Sequence, residues 1–292
     1  MDKRVFKNRF GFYEIINKPT LEELKNYYAE KYYQEAHGSY EKSYSEDEIL
    51  YFKNKLSQKH IIINELLGSN LLKTFLDVGA GEGWALDFFK KQGWHCAGLD
   101  YSEFGCKKYH DSCLADMLVG DIYENLNKLI VKKKRYSVIL LDNVLEHVIN
   151  PLSLLSSTRE LIDEGGVLVI EVPNDFSAMQ NYLLEQKYIS QSFWIAYPDH
   201  LSYFNKNGLI NLCREAGFQC KRVIADYPID FNLVNKNTNY IEKKSVGKSC
   251  HRSRVEIENF MHRLSPEKTI KVYEAIAELG LGRELIGFFK PI

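Results

Sequence analysis

An apolar run that ends in three closely spaced glycines constrains the fold of this chain more than any other segment. Thr74–Val78 has the composition of a short buried strand, and Gly79, Gly81 and Gly83 follow it. Trp84 then opens a segment with helical periodicity. Glycine has no Cβ, so the backbone can turn sharply and approach a ligand, while the first N–H groups of the helix point to the same place. The segment therefore predicts a strand–turn–helix unit that binds a ligand.

Strands and helices alternate after this turn. The next predicted strands cover 95–99, 117–119, 136–141, 167–172, 218–225 and 285–289, and the helices between them cover 84–92, 103–110, 152–162 and 206–216, with a turn at Gly165-Gly166. The 136–141 run is nearly all apolar, which is typical of a strand buried on both faces. The pattern predicts an α/β fold, a Rossmann-like seven-stranded, mostly parallel sheet with helices on both faces.

Helical segments flank this alternation. Pro19 and Thr20 form a helix start, a second helix covers about 45–67, and Gly68 ends it. We therefore predict that residues 1–70 form an N-terminal helical extension or lid and that 71–292 form the main domain. Two further helices, 254–264 and 266–279, lie in a predicted helical insertion of about 232–280 before the last strand.

Composition excludes several classes of protein. The 292 residues carry a formal net charge of -1, so the whole chain has no general attraction to nucleic acid or an anionic membrane. Lys132 to Arg135 are a local basic run, predicted as a solvated loop, with a phosphate patch as the alternative. No apolar stretch approaches the ~20 residues of a membrane span. The six cysteines form no CxxC pair, which favours free thiols and a cytoplasmic protein.

Acidic residues near the glycines indicate the kind of ligand. Asp100 ends the second predicted strand, where a carboxylate can accept hydrogen bonds from both ribose hydroxyls. A dinucleotide fingerprint is G-x-G-x-x-G, but here the spacing is G-x-G-x-G, which counts against NAD. Asp77, two residues before the first glycine, favours S-adenosylmethionine (SAM), whose methionine end carries an ammonium group. A glycine turn without a ligand stays the plain structural alternative.

The segment Asp77-Val78-Gly79-Ala80-Gly81-Glu82-Gly83 resembles motif I of class I SAM-dependent methyltransferases. Other segments resemble further motifs of that family in the same order: Leu99 to Ser102, Gly120 to Ile122, Leu141 to Val148, Gly165 to Asn174 and Pro198 to Phe204. The last segment resembles the "HLxxF" segment of methyltransferases from surface-glycan and natural-product pathways. The resemblance covers roughly 70–225. Ser137 is a departure, because the family usually has Asp at this normally structural position.

The resemblance implies a methyltransferase domain over 71–292 with SAM as its cofactor. The residues expected to bind it are Asp77, Gly79, Ala80, Gly81, Gly83, Trp84, Asp100, Tyr101, Asp121, Ile122, Asp142, Asn143 and Val144. By the same resemblance, Asp100 would hold the ribose and Asp121 the adenine amino group.

Two histidines are the candidate catalytic bases. A methyl acceptor with a hydroxyl group gains from a base, and histidine suits that role near neutral pH. His147 follows the fourth strand and His200 lies after the fifth, at the ends where open α/β sheets bind ligands. Packed structural histidines are the alternative for both. Glu146 and the two histidines could instead bind a metal ion, although no metal is predicted.

The residues expected to face the acceptor are Tyr32, Tyr33, Glu146, Tyr203 and Asn232. The tyrosines, with Tyr28, could form a lid, or they could be ordinary core residues. Asn232, with Asn235, Asn239 and Tyr240, could line the substrate side, although turn chemistry explains them equally well.

We therefore expect a cytoplasmic, SAM-dependent methyltransferase with a small-molecule acceptor. The resemblance points to an oxygen of a sugar, nucleotide-linked or phosphorylated precursor in the biosynthesis of bacterial surface polysaccharide, such as a capsule. A Rossmann oxidoreductase and a non-catalytic SAM-binding partner subunit are the alternatives. The sequence indicates neither a nucleic-acid nor a membrane partner, and it leaves the oligomeric state open.

Overall fold

The computed structural model describes residues 2–20, 22–24, 27, 43–69 and 71–292. The strands are β1 Val5–Lys7, β2 Tyr13–Ile15, β3 Thr74–Val78, β4 His95–Asp100, β5 Met117–Val119, β6 Tyr136–Asp142, β7 Ile162–Pro173, β8 Ser202–Tyr203, β9 Phe218–Ala225 and β10 Glu284–Pro291. The helices are α1 Glu46–Leu66, α2 Trp84–Lys91, α3 Phe104–Tyr109, α4 Ile122–Val131, α5 Pro151–Leu161, α6 Ala178–Glu185, α7 Lys206–Glu215, α8 Gly247–Leu264 and α9 Pro266–Glu278. Short 3-10 helices cover Asp111–Asp116, Ile229–Val234 and Lys244–Val246.

Seven strands form the central sheet in the order β5-β4-β3-β6-β7-β10-β9. The pairs among β5, β4, β3, β6 and β7 are parallel, whereas β10 is antiparallel to both of its neighbours. The seven-stranded, mostly parallel sheet with surrounding helices is therefore confirmed. Because β10 runs backwards, its first residue lies at the same edge at which the parallel strands end.

Alternate residues of β6 show why helices cover both faces of the sheet. Val138 and Leu140 pack in one cluster with residues of α1, α2 and α9. Ile139 and Leu141 pack in the other cluster with residues of α4, α5 and α7. Successive strand residues point to opposite faces, so an uninterrupted apolar run needs a core on each side. Ligand access is then confined to the ends of the strands.

The helix that precedes the sheet begins where its capping residues predict. Ser45 Oγ accepts a hydrogen bond from the backbone N–H of Glu48, and the Glu48 carboxylate accepts from the Ser45 backbone. Residues Glu46, Asp47 and Glu48 place negative charge in the first turn, where the helix dipole favours it. Leu56, Ile62 and Ile63 of α1 are buried against the sheet.

The start of the chain also contains a hairpin that the sequence analysis missed. Strands β1 and β2 pair antiparallel, and β2 continues onto β8 through the pair Tyr13 and Tyr203. Phe12 packs against Phe204, with 4.4 Å between the ring centroids. Strands of three residues are too short to show a reliable alternation in sequence. This small sheet ties the N-terminal segment to the loop that carries His200.

Two boundaries differ from the predictions. Strand β7 starts at Ile162 and runs through Gly165 and Gly166, which we predicted as a turn. A Cβ on Gly166 would lie 2.8 Å from the Ser137 carbonyl oxygen, so glycine permits close packing within the sheet there. Helix α8 starts at Gly247, earlier than the predicted 254, and lies in the predicted helical insertion.

No helix in the described part of the chain is long and apolar enough to cross a membrane. The predicted lid residues Tyr28, Tyr32 and Tyr33 lie outside the described residues. The division of the chain at residue 70 stays a prediction.

Candidate functional site

The three glycines after β3 form a turn that only glycine adopts easily. Their φ angles are +83° at Gly79, +53° at Gly81 and +80° at Gly83. A Cβ on Gly79 would lie 2.4 Å from Cγ2 of Val144, whereas a Cβ on Gly81 would meet nothing within 4 Å. Gly79 is thus required for packing, and Gly81 borders open space at the N-terminus of α2, where N–H groups can bind a ligand.

Asp100 connects the glycine turn to the end of β4. Its Oδ2 accepts a hydrogen bond from the Gly81 N–H at 2.8 Å, and its Oδ1 accepts from the Ser102 N–H at 3.0 Å. Burial raises the pKa of Asp100, and hydrogen bonds from the backbone N–H groups of Ser102, Gly81 and Tyr101 oppose that rise. A carboxylate has about four acceptor positions, so acceptor capacity remains for a ribose hydroxyl. The placement fits the predicted role at the ribose.

Tyr101 and Asp121 meet beside this carboxylate. The Tyr101 hydroxyl donates to Asp121 Oδ2 at 3.0 Å, and Asp121 Oδ1 caps α4 by accepting from the Glu124 N–H at 3.1 Å. Ile122, the first residue of α4, is nearly buried. Asp121 is therefore held in one orientation at the end of β5, where the resemblance places an adenine contact.

An aromatic wall covers the start of α2. Trp84 Nε1 donates to Glu82 Oε2 at 2.7 Å, and the Tyr44 hydroxyl donates to Glu82 Oε1 at 2.9 Å. The Trp84 ring lies 5.1 Å from the Phe52 ring and 5.8 Å from the Tyr44 ring, measured between centroids. Sequence reasoning named Trp84 but not its partners, which precede it by more than thirty positions.

A cavity of about 400 Å³ opens at the ends of β3 and β6. It is lined by six residues predicted to bind the cofactor, namely Asp77, Gly79, Ala80, Trp84, Asp142 and Asn143. It is also lined by residues that the sequence analysis missed: Tyr51, Phe52, Lys55, Leu56, Lys59, Ala85, Leu140, Glu171, Arg254 and Glu284. Six of the thirteen predicted cofactor residues thus share one cavity with cations from α1 and α8.

Two lysines from α1 contact the carboxylates at the ends of β6 and β7. Lys59 forms ion pairs with Asp142 and with Glu171, the latter at 2.6 Å, and Lys55 contacts Glu171 at 2.5 Å. Burial alone would raise the pKa of Glu171, but Lys55 and Lys59 lower it to about 2. Residues 55 and 59 are one helical turn apart. That spacing places both ammonium groups on one face of α1, but lysines so spaced are usually solvated, so it did not identify the site.

The pKa of Asp77 is raised, whereas that of Glu171 is lowered. Its carboxyl group is 3% exposed, and burial raises its pKa to about 8, with a further rise from the nearby Asp142 carboxylate. Lys59 opposes these effects without reversing them. A cationic ligand group is therefore needed to ionise Asp77 near neutral pH. The ammonium group of SAM has the required charge.

Arg254 fixes α8 against the cavity. Its guanidinium contacts Asp226 at 2.6 Å, Glu258 at 2.8 Å and the Tyr51 hydroxyl at 2.6 Å. Tyr273 donates from its hydroxyl to the other oxygen of Glu258 at 2.7 Å. The helical insertion is thus joined to α1 and to the end of β9 by buried charged hydrogen bonds.

The two candidate bases lie in contact after β6. The rings of His147 and His200 meet edge to face, with 4.9 Å between centroids. Nδ1 of His147 lies 2.8 Å from the Asp199 carbonyl oxygen and Nε2 lies 3.7 Å from Glu146 Oε1. A proton on Nδ1 would make Nε2 the basic nitrogen of neutral His147. Ligand atoms of Glu146, His147 and His200 lie within 4.8 Å of one another, so this set could hold a metal ion.

Two predicted acceptor contacts occupy positions with clear structural roles. Tyr203 is fully buried, and its hydroxyl donates to the His200 carbonyl oxygen at 2.8 Å, so it positions the loop that carries His200. Asn232 donates to the Ile229 carbonyl within its own 3-10 helix and is not among the residues that line the cavity. Turn chemistry accounts for the observed bond of Asn232. Tyr32 and Tyr33 cannot be placed, since they lie outside the described residues.

Comparison with known proteins gives a family and a fold. A family model described as a methyltransferase domain matches residues 53–223. The chain is 24% identical over 193 residues to a ubiquinone biosynthesis O-methyltransferase of Glaesserella parasuis, covering 61% of this chain and 81% of that protein. It is 25% identical over 216 residues to a protein of the same name from Nitrosomonas europaea, covering 71% and 87%.

Among solved structures, a SAM-dependent methyltransferase from Archaeoglobus fulgidus superposes on this chain with a TM-score of 0.52. The alignment covers 91% of this chain and 99% of that protein at 18% identity. The two proteins share the fold. At this identity, the comparison does not extend to the acceptor.

Proposed function

This chain belongs to the methyltransferase family whose model spans residues 53–223, and from that premise we propose what it methylates and how. The chain is a SAM-dependent methyltransferase. We propose that its acceptor is an oxygen of a small polar molecule, a sugar, nucleotide-linked or phosphorylated precursor in bacterial surface polysaccharide biosynthesis. Membership of this family argues against the oxidoreductase alternative. A measurement of turnover distinguishes an enzyme from a non-catalytic SAM-binding subunit.

The cofactor residues supply a place for each part of SAM. Asp77 would face the ammonium group, Asp100 the ribose, and Asp121 with Tyr101 the adenine end. Bound SAM supplies an electrophilic methyl group on a sulfonium. Trp84 and the aromatic residues around it would exclude water from that cavity.

The observation that carries the proposed chemistry is the contact between His147 and His200 beside the buried Glu146. A hydroxyl acceptor must lose its proton as its oxygen is methylated, and a histidine within hydrogen-bond reach can take it. The carbonyl of Asp199 orients His147, and Tyr203 orients the backbone at His200. His147 follows β6, one of the strands whose ends form the cavity, and His200 contacts it from the loop before β8. We place His200 as the principal base and His147 as its neighbour.

The names of the relatives support a second candidate. Proteins called ubiquinone biosynthesis O-methyltransferase match this chain over most of their length, which favours a phenolic hydroxyl as acceptor. A phenol loses its proton more easily than a sugar hydroxyl does. The dependence on a histidine base should therefore be weaker for a phenolic acceptor.

Methyl transfer from radiolabelled SAM tests both candidates. The purified protein is assayed with neutral sugars, nucleotide sugars, sugar phosphates and catechol. With the best acceptor, we expect His200→Ala to lower kcat by at least ~10²-fold, and His147→Ala to have a smaller effect, with SAM affinity nearly unchanged. His95→Ala is the matched control, because His95 is exposed at the opposite end of β4.

Each possible result has a distinct meaning. Single-turnover chemistry at the wild-type rate in His200→Ala would remove His200 as base. Loss of SAM binding in that variant would assign His200 to structure or cofactor contact. Transfer to catechol alone would reject the polar acceptor, and no transfer to any compound would leave the SAM-binding subunit as the better account.

A further inference from the structure

Several buried polar atoms in the described part of the chain have no hydrogen-bond partner. They include both carboxyl oxygens of Glu146, both of Asp175, Oε2 of Glu284 and Nη1 of Arg283. Glu146 and Asp175 are each only 1% exposed. Their concentration in one region requires an explanation, because an unmade hydrogen bond in a protein interior costs about 1–3 kcal/mol.

These four side chains come together at the edge of the sheet where the reaction is proposed. Glu146 follows β6, and Asp175 follows β7. Glu284 begins β10 and pairs in register with Pro173, the last residue of β7. The Asn174 N–H donates to the Arg283 carbonyl oxygen at 2.9 Å, which holds the two chain segments side by side.

The four side chains lie close to one another. Arg283 Nη1 lies 3.5 Å from Asp175 Oδ1, an ion pair without a hydrogen bond. Burial raises the pKa of Glu146 far above its usual range, and the carboxyls of Glu284 and Asp175 are close enough to add to that rise. Glu284 alone among the four lines the cavity that contains six of the predicted cofactor residues. The group therefore borders the space next to the proposed methyl donor through Glu284.

The chemistry of the unpartnered atoms restricts what can fill this space. Five of the six are carboxyl oxygens, which accept hydrogen bonds, so the ligand must donate several. A phosphate or carboxylate ion brings acceptors rather than hydrogen-bond donors, and a hydrocarbon chain would leave every oxygen without a partner. The guanidinium of Arg283 needs an acceptor and repels an ammonium group, which has no lone pair to offer.

Hydroxyl groups meet all of these conditions, because each donates one hydrogen bond and accepts others. We propose that Glu146, Asp175, Arg283 and Glu284 form a subsite for a neutral, polyhydroxylated ring, the sugar of the acceptor. This assignment rests on the proposed function, since it names the part of the acceptor next to the base. Any phosphate or nucleotide of the acceptor lies outside this subsite.

The test uses Glu284→Met in the full-length protein saturated with S-adenosylhomocysteine (SAH). Methionine keeps the approximate size of the side chain and removes the unpartnered oxygens. Calorimetry measures binding of D-glucose, D-galactose, D-mannose and N-acetylglucosamine, with glucose 6-phosphate, catechol and putrescine as comparators. Glu164→Met is the matched control, since Glu164 is 79% exposed near the start of β7.

We expect at least one neutral sugar to bind and the Glu284→Met variant to bind it at least ~10-fold more weakly. We expect the melting temperature of Glu284→Met to stay the same or rise, because a buried group without partners has been removed. SAH affinity should change less than about twofold in Glu164→Met. Glu284 lines the cofactor cavity, so sugar binding to Glu284→Met is measured at saturating SAH, where a change in SAH affinity does not affect it. A structural role for Glu284 would instead lower the melting temperature.

Glu146→Gln provides a second, smaller perturbation in case Glu284→Met fails to fold. Equal sugar affinity in wild type and in a folded variant would overturn the proposal, as would the absence of binding by all four neutral sugars. The proposal would also be overturned if the protein bound Mg²⁺ or Zn²⁺ but no sugar, and if Glu146→Gln abolished that metal binding. This result would show that a metal ion is the partner of the Glu146 carboxyl group. Sugar binding through these residues without methyl transfer would support the subsite and reject the proposed reaction.

Discussion

The raised pKa of Asp77 predicts a specific dependence of cofactor affinity on pH. Burial raises this pKa to about 8 in the protein without ligand. Binding of an ammonium group requires the carboxylate form, so at lower pH the protein must first release a proton. Affinity should therefore fall about tenfold, or about 1.4 kcal/mol, for each pH unit below 8. At pH 7, binding should release about 0.9 proton from Asp77.

Above pH 8 the affinity should level off, because Asp77 is then ionised before the ligand binds. The same raised pKa has a consequence for folding. The pKa of Asp77 is higher in the folded protein than in the unfolded chain. Protonated Asp77 therefore stabilises the folded state at acidic pH, and this contribution is lost as the pH rises through about 8.

Isothermal titration calorimetry with SAH between pH 6 and pH 9 measures this effect, and buffers of different ionisation enthalpy report the released proton. SAH carries the same α-amino group as SAM. In Asp77→Asn we expect lower affinity and no increase between pH 6 and pH 8. Affinity that is constant between pH 6 and pH 8 in the wild-type protein, or the same slope in Asp77→Asn, would refute the assignment of Asp77 to the ammonium group.

Four further substitutions test the site. Gly79→Ala should lower both SAH affinity and the melting temperature, because its Cβ would overlap a buried side chain at 2.4 Å. Gly81→Ala should mainly lower SAH affinity, because its Cβ would meet nothing within 4 Å. Equal changes in melting temperature in the two variants would contradict this difference. Asp100→Asn should weaken SAH binding by roughly 1.5–3 kcal/mol in calorimetry, and unchanged affinity in a folded variant would remove Asp100 from the site. Arg254→Met should lower the free energy of unfolding by about 3–5 kcal/mol in urea titrations, because it leaves buried carboxylates without their cation; a loss below about 1 kcal/mol would show that they are neutralised in another way.

Local patterns explain the parts of the fold that the sequence predicted correctly. The apolar strand before Gly79, the nearly continuous apolar run of β6 and the capping residues before α1 each depend on neighbours within a few positions. Such signals do not require knowledge of the tertiary structure. The order of the motifs then supplied the sheet, because the connection between consecutive parallel strands has one favoured hand.

The charged part of the site could not be predicted in this way. Lys55 contacts Glu171 across 116 positions, and Arg254 contacts Tyr51 across 203. A lysine on a helix is usually a solvated residue, and only the tertiary packing of α1 and α8 brings Lys55 to Glu171 and Arg254 to Tyr51. The unpartnered oxygens of Glu146 had no signal in sequence, because the absence of a partner depends on every element around the carboxyl group.

The raised pKa values in the cavity predict that the relative affinity for SAM and for its product SAH depends on pH. Lys55, Lys59 and Arg254 line the cavity and are each paired with buried carboxylates. Asp77 and Glu284, whose pKa burial raises to about 8, add little negative charge at neutral pH. SAM carries one more positive charge than SAH, on its sulfonium, so its binding should favour ionisation of these carboxyls more strongly. We therefore expect the ratio of SAM affinity to SAH affinity to be higher at pH 8 than at pH 6. Parallel titrations with the two ligands measure that ratio, and a constant value would place the sulfonium outside the field of both carboxyls.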